Sequence, residues 1–150
     1  MKKVLYIVIA LGMVSTFVGA LEWMDLSHKT CDRYGKGTCH LGTAYNCGCY
    51  GKIKRAEKIC RRAGGRLPTM NELKSVALSC GVRPKEFGHG NLENTPFFNC
   101  ILKKGFVGEK YWSKSREKKN RDYRMIIDFY SANITTAAAF FDTIRIRCVK

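Results

Sequence analysis

Apolar positions recur at helical spacing in the middle of the chain: Ile53, Ala56, Cys60 and Ala63 stand three or four residues apart, with Lys54, Arg55, Lys58, Arg61 and Arg62 largely on other faces. The spacing predicts an amphipathic helix, and Gly64-Gly65 marks its stop, because glycine accepts the left-handed conformation that commonly ends a helix. Thr69-Met70-Asn71-Glu72 then fits a capping box, in which the threonine hydroxyl and the glutamate carboxylate satisfy exposed amides at a helix start. Leu73, Val76, Ala77 and Cys80 supply the apolar stripe of a second helix over residues 70–79, with Pro68 before it and Gly81 after it. Residues 81–108 carry Pro84, Pro96 and several glycines without a sustained period, and predict a long irregular connection. Beyond it the period drops to two. Tyr123, Met125, Ile127 and Phe129 alternate with Arg124, Ile126, Asp128 and Tyr130, which predicts a strand paired through a Ser131-Ala132-Asn133 turn with a partner over residues 136–141. Ile144, Ile146 and Cys148 alternate with Arg145, Arg147 and Val149, predicting a final strand with one buried face.

Ahead of this body lies a different pattern. Lys2-Lys3 precedes an uncharged apolar run over residues 4–14, and Val18-Gly19-Ala20 offers small residues where a signal peptidase would cut, so residues 1–20 read as a secretory signal peptide. A membrane anchor is the alternative, but Gly12, Ser15, Thr16 and Gly19 interrupt the ~20 apolar residues a spanning helix needs, and no second such run follows. The expectation is an exported protein, secreted, periplasmic or at the cell surface, with no membrane span after cleavage. Residues 21–51 are rich in Gly, Tyr and Cys without periodicity, and read as a loop-rich, disulfide-pinned lead-in to the same domain as residues 52–150. A chain of 150 residues is ordinarily one domain.

Charge changes the picture more than length does. There are 27 Lys and Arg against 12 Asp and Glu, a formal charge of +15; losing Lys2 and Lys3 with the leader leaves 25 against 12, or +13. Such a charge favours polyanionic partners, among them acidic polysaccharide, lipopolysaccharide, anionic lipid and nucleic acid. Composition excludes collagen, coiled coil and outright disorder.

The 8 cysteines, Cys31, Cys39, Cys47, Cys49, Cys60, Cys80, Cys100 and Cys148, are an even count in a chain expected to be exported, the pattern of disulfides, with room for four bridges. Eight half-cystines allow 105 pairings. Cys47 and Cys49 are too close to bridge each other without strain, and Cys80 with Cys100 would tie down the irregular connection. Zinc is the rival, because Cys31, Cys39-His40 and Cys47-Gly48-Cys49 crowd potential ligands, but paired C-x-x-C knuckles are absent. No metal or other cofactor is expected.

Three segments together resemble the bacterial C-type-lectin-like domains: Ala56 through Thr69, whose Cys60 and Gly65-Arg66-Leu67-Pro68-Thr69 precede Glu72-Leu73; Tyr111-Trp112-Ser113; and the closing Arg147-Cys148-Val149. That group includes domains of unknown function and the terminal domain of a collagen-like adhesin. The resemblance spans residues 52–150 and implies an α+β fold, two helices flanking a twisted antiparallel sheet, with the first helix bridged to the last strand. Carried over, that bridge is Cys60 with Cys148. The calcium motifs of the sugar-binding animal relatives, Glu-Pro-Asn, Gln-Pro-Asp and Trp-Asn-Asp, do not occur here, and calcium needs six to eight hard oxygens. Lectin-like therefore describes shape, and function has to be argued from a site.

The best candidate is basic. Residues 114–122 carry Lys114, Arg116, Lys118, Lys119 and Arg121 against Glu117 and Asp122, with Lys110 and Arg124 close by, and read as an anion-binding loop. Tyr111, Trp112 and Tyr123 are candidates for stacking on sugar rings or bases, although the core is the expected place for Trp112. The basic face of the first helix, with Lys52, Lys54, Arg55, Lys58, Arg61, Arg62 and Arg66, is a second candidate. His28, His40 and His89 occupy no recognised catalytic motif, and the cysteines are expected to be oxidised, so the chain is not read as an enzyme; a small secreted hydrolase such as a ribonuclease is the third reading. The first is an adhesin-like module binding an anionic glycan or other polyanion without calcium. The second is a protein-binding or structural envelope component that uses residues 81–108 to grip a surface protein. Asn133-Ile134-Thr135 is a glycosylation sequon to which no role is assigned. Oligomeric state is left open.

Overall fold

The computed structural model describes residues 21–24, 26, 31, 36–39, 47–84, 87, 96–141 and 143–150. The predicted leader over residues 1–20 lies outside them. In chain order the elements are β1 (Trp23–Met24), β2 (Lys36–Cys39), β3 (Cys47–Tyr50), α1 (Ile53–Arg62), α2 (Met70–Ser79), α3 (Pro96–Lys103), β4 (Lys110–Arg116), β5 (Tyr123–Asp128), β6 (Asn133–Ala138) and β7 (Cys148–Val149). All strand pairs between named elements are antiparallel: β1 with β7, β2 with β3, and β4-β5-β6 as a three-stranded sheet.

The fold is α+β, and its core has two halves. One half joins Ile53, Ala56, Ile59 and Cys60 of α1 to Trp112, Ile126 and Ala137 of the sheet and to Ile144, Ile146 and Cys148. The other joins Met70, Leu73, Val76 and Ala77 of α2 and Phe97 and Ile101 of α3 to Tyr111, Ile127 and Phe129. Neighbouring residues on β4 and β5 thus enter opposite halves, as the alternation of side chains along a strand requires. The sheet lies between α1 on one face and α2 with α3 on the other. Trp112 is fully buried and its indole Nε1 donates to the Gly51 carbonyl at 2.6 Å, so its polar edge is satisfied inside the core.

Local chemistry explains the helix boundaries. α1 closes with Gly64 at φ +84°; the Gly65 N–H donates to the Cys60 carbonyl at 2.9 Å and the Gly64 N–H to that of Arg61 at 3.1 Å. Gly65 has a further reason to lack a side chain, since a Cβ there would stand 2.6 Å from the Val149 carbonyl oxygen. At α2 the capping box forms as expected: the Glu72 N–H donates to Thr69 Oγ1 at 3.2 Å and the Thr69 N–H to Glu72 Oε2 at 2.7 Å. Arg66 adds a two-pronged grip on the same carboxylate, at 2.8 and 2.6 Å.

Several expectations need correction. The lead-in is not simply loop, because it contributes β1, β2 and β3. The connection over residues 81–108 contains α3, with Pro96 at its first position, where a missing N–H costs no helix bond. Residues 85–86 and 88–95 of that connection lie outside the described residues. The partner of β5 is Asn133–Ala138 and not residues 136–141, since Asp128 pairs with Asn133 and Tyr123 with Ala138 across a tight turn. The final segment is not one strand with one buried face. It makes single bridges at Arg145 to both Tyr50 and Tyr111 before becoming β7, and Arg145 and Val149 are buried alongside Ile144, Ile146 and Cys148.

Among the described residues three disulfides are present: Cys60–Cys148, which joins α1 to β7, Cys80–Cys100, which joins the end of α2 to α3, and Cys31–Cys49. The β2–β3 register sets Cys39 opposite Cys47, whose side chains lie outside the described residues.

Two predictions follow from this framework. In the loop-entropy model the 88-residue separation of Cys60 and Cys148 corresponds to about 4 to 5 kcal/mol and the 20-residue separation of Cys80 and Cys100 to about 3 kcal/mol. Denaturant unfolding of the paired alanine variants should therefore rank Cys60→Ala/Cys148→Ala as the more damaging; equal midpoints would contradict the ranking. The second concerns acid. The Arg66 guanidinium pulls the Glu72 carboxyl down to about 2, helped by the Thr69 amide and hydroxyl. A lowered carboxyl pKa adds stability that is complete above the usual carboxylate range and lost as pH falls through about 2. Glu72→Gln should cost about 1 kcal/mol at pH 7, with the gap from wild type closing in urea titrations repeated toward pH 2.

Candidate functional site

The β4–β5 hairpin gathers most of the predicted cations, and its base is irregular for a physical reason. Trp112 pairs with Ile126 and Arg116 with Arg124, so three residues of β4 face one of β5 in a bulge at Ser113, Lys114 and Ser115. The bulged backbone turns to the α1–α2 connection. The Lys114 N–H donates to the Pro68 carbonyl at 2.7 Å, and Ser115 Oγ accepts from the Met70 N–H at 3.0 Å, satisfying an amide that the first turn of α2 leaves open. Ser113, fully buried, donates to the Met125 carbonyl at 2.7 Å. The Pro68-Thr69-Met70 backbone and the Lys114-Ser115 bulge are thus docked on each other.

Lys114 and Arg116 therefore stand on a strand and not in a loop, a correction to the expected position. Both are exposed, as are Lys118, Lys119 and Arg121 in the turn. The turn organises itself with its own polar side chains: Glu117 Oε1 accepts from the Lys119 N–H at 3.3 Å, and Asn120 Oδ1 from the Asp122 N–H at 3.0 Å. Glu117 is engaged with backbone, and no ion pair holds Lys114, Arg116, Lys118, Lys119 or Arg121 among the described residues.

Arg124 differs from its expected role. It is 8% exposed, its Nη1 donates to the Arg121 carbonyl at 2.8 Å, and its buried Nε has no hydrogen-bond partner. It also faces Arg116 directly in the β4–β5 register. Like charges opposite each other across a strand pair destabilise it, and burying a guanidinium with no carboxylate paired to it costs further free energy.

Lys110 does not join this group. It begins β4, six residues from Arg116 and about 20 Å away by strand rise, and faces Asp128 in the register. There it lines an open groove of about 510 Å³ with Tyr50, Gly108, Glu109, Asp128, Tyr130 and Thr143. Tyr111 and Trp112 are likewise removed from any binding face by burial, leaving Tyr123, 37% exposed, as the aromatic of the hairpin. On α1, Lys52, Lys54, Arg55, Lys58, Arg61 and Arg62 are exposed, whereas Arg66 is engaged with Glu72.

Sequence reasoning gave no sign of the polar network under the groove. Tyr50 Oη donates to Glu109 Oε2 at 2.6 Å, Arg145 Nη1 lies 3.0 Å from the same oxygen and 3.3 Å from Tyr50 Oη, and the guanidinium sits 5.5 Å from the Tyr50 ring centre. Its members are 36 to 95 residues apart in the chain, a distance no local pattern reports. Among the described residues no three His, Cys, Asp or Glu come together to hold a metal ion, and no helix is long and apolar enough to cross a membrane. No known protein family, curated protein or solved structure matches the chain, so the site is read from its own residues.

The network generates an alkaline prediction. Burial, reinforced by the Glu109 carboxylate, pushes Tyr50 up to about 12 against the opposing pull of Arg145, and burial pushes Tyr111 up to about 12. A phenol held neutral in this way contributes stability that is complete below pH ~10 and lost as pH rises through about 12. Of the 7 tyrosines, Tyr50 and Tyr111 should ionise last in a phenolate absorbance titration, and Glu109→Gln should bring Tyr50 down. Complete ionisation near pH 10 in the folded protein would contradict the assignment.

Proposed function

We propose that the chain is an exported, non-catalytic binding module with a C-type-lectin-like fold, which recognises an anionic glycan or similar polyanion without calcium through the β4–β5 hairpin. The fold assignment is supported by helices on both faces of an antiparallel sheet, by the pairing of β1 with β7, and by the Cys60–Cys148 bridge from the first helix to the last strand. Export is supported by the three disulfides, which persist in oxidising compartments.

The observation that carries the function is the opposition of Arg116 and Arg124 beneath Lys118, Lys119 and Arg121. A folded chain gains nothing by itself from like charges at opposed positions of paired strands, and such local conflicts are characteristic of sites kept for a ligand. A sulfate or carboxylate group seated over the hairpin would relieve the repulsion and find unpaired cations around it. Multivalent contact of this kind displaces counterions, and its affinity falls steeply with salt.

Binding of the oxidised protein to sulfated and neutral polysaccharides across a salt series tests the reading. Retention on the sulfated polymer alone, weakening with salt and lost on changing Lys114, Arg116, Lys118, Lys119 and Arg121 to Ala, is the expected result. The sulfated polymer should also raise the melting temperature of the wild type more than that of the variant. Binding that the variant keeps would move the search to α3 and a protein partner.

A further inference from the structure

We infer that the turn carrying Phe140 and Phe141 is a membrane-contact point, and that its occupant is the surface of a bilayer rich in anionic phospholipid. Phe140 is 67% exposed and Phe141 47%, the two most exposed large apolar side chains among the described residues, and their rings lie 5.1 Å apart at 30° to each other. Neither ring belongs to either half of the core, and apolar surface set in a polar rim marks a contact site.

The turn is held in place rather than left to drift. The Phe141 N–H donates to the Ala138 carbonyl at 3.1 Å, closing the turn. Its leading residue, Ala139, is anchored on both sides: its N–H donates to the Asp122 carbonyl at 2.9 Å, in the β4–β5 turn, and its carbonyl accepts from the Ile53 N–H at 3.4 Å, at the start of α1. The residue that leads into the Phe pair is therefore tied to two segments that carry basic residues, one with Lys118, Lys119 and Arg121 and the other with Lys52 and Lys54, all exposed.

That arrangement selects the occupant. A second copy of this chain would bring the same positive surface, on a protein with a formal charge of +15, and would be repelled. A bilayer with anionic headgroups offers a negative surface to the cations and, just below it, the apolar medium that Phe side chains enter; interfacial binding combines these two attractions. Phe carries no polar tip that would need a partner at depth. The inference rests on the basic hairpin being an anion-binding surface, but adds a lipid-inserting element that a soluble polysaccharide does not require.

The test is sedimentation of the oxidised chain with phosphatidylglycerol and phosphatidylcholine vesicles, alongside heparin binding, for the wild type, F140S/F141S and K118A/K119A/R121A. The wild type should bind phosphatidylglycerol and not phosphatidylcholine. F140S/F141S should lose roughly tenfold or more in vesicle affinity while keeping heparin binding and melting temperature. K118A/K119A/R121A should weaken on both ligands, by roughly fivefold for each cation on vesicles. In F140W, the added tryptophan emission should shift to the blue on phosphatidylglycerol vesicles and be quenched by brominated acyl chains. Wild-type affinity of F140S/F141S for phosphatidylglycerol, an unshifted F140W, or equal binding to both lipids would overturn the membrane contact. Heparin binding lost in the basic variant would then leave the hairpin reading standing, whereas a wild type that binds neither ligand would end both.

Discussion

The backbone of residues 144–150 distributes its hydrogen bonds over four separate parts of the chain. The Ile144 carbonyl accepts from Gly51, Arg145 pairs with Lys110 and Trp112 of β4, Ile146 donates to the Cys49 carbonyl, Val149 exchanges both bonds with Arg66, and Lys150 donates to Glu22. Cys148 adds a covalent tie to α1. A segment bonded on both sides satisfies amides and carbonyls that burial would otherwise leave orphaned, so it can run through the core while carrying Arg145. Arg145 in turn holds Tyr50 and Glu109, and its bridges to Tyr50 and Tyr111 join the β2–β3 pair to the β4-β5-β6 sheet.

The hairpin inherits its rigidity from that arrangement. β4 is fixed along one edge by Arg145 and along the other by β5, and its bulge is fixed by Pro68 and Met70. The β4–β5 turn is anchored at Asp122 through Ala139. The cations beyond these ties project from a held frame, which would lower the entropy lost on binding the proposed anionic ligand. The same ties hold Ala139, which leads into the Phe140–Phe141 turn, so that under the membrane proposal charge and apolar surface would reach the bilayer together.

Much of this was legible locally. The period of α1, its glycine stop and the capping box of α2 are encoded within a few residues each, and they appear where the spacing puts them. α3 was hidden because Pro96 and Gly105 look like breakers when read without position; at the first residue of a helix and just past its last, where Gly105 has φ +75°, they are ends. The strands of the lead-in were illegible because β1 consists of two residues and owes its existence to β7, whose partners lie 124 and 126 residues later in the register. The same holds for Arg124, whose burial depends on β4 and β6 on either side, and for Lys110, which a linear charge count groups with cations that the strand carries away from it.

The segment that unites the domain also comes after every element it unites. β4, β5 and β6 can pair as they emerge, since each is joined to the next by a short turn. α1 and β3 must wait, because their partners at Ile144, Ile146 and Cys148 are separated from them by most of the domain. Contacts so distant in sequence are slow to form, and chains that depend on them expose apolar surface in the interval. Until residues 144–150 are seated, the half of the core that α1 shares with Ile144, Ile146 and Cys148 is incomplete, and the Cys60 thiol lacks its native partner. The architecture thus makes the native pairing of Cys60 depend on the segment farthest from it in the chain, while Cys31–Cys49 and Cys80–Cys100 close shorter loops.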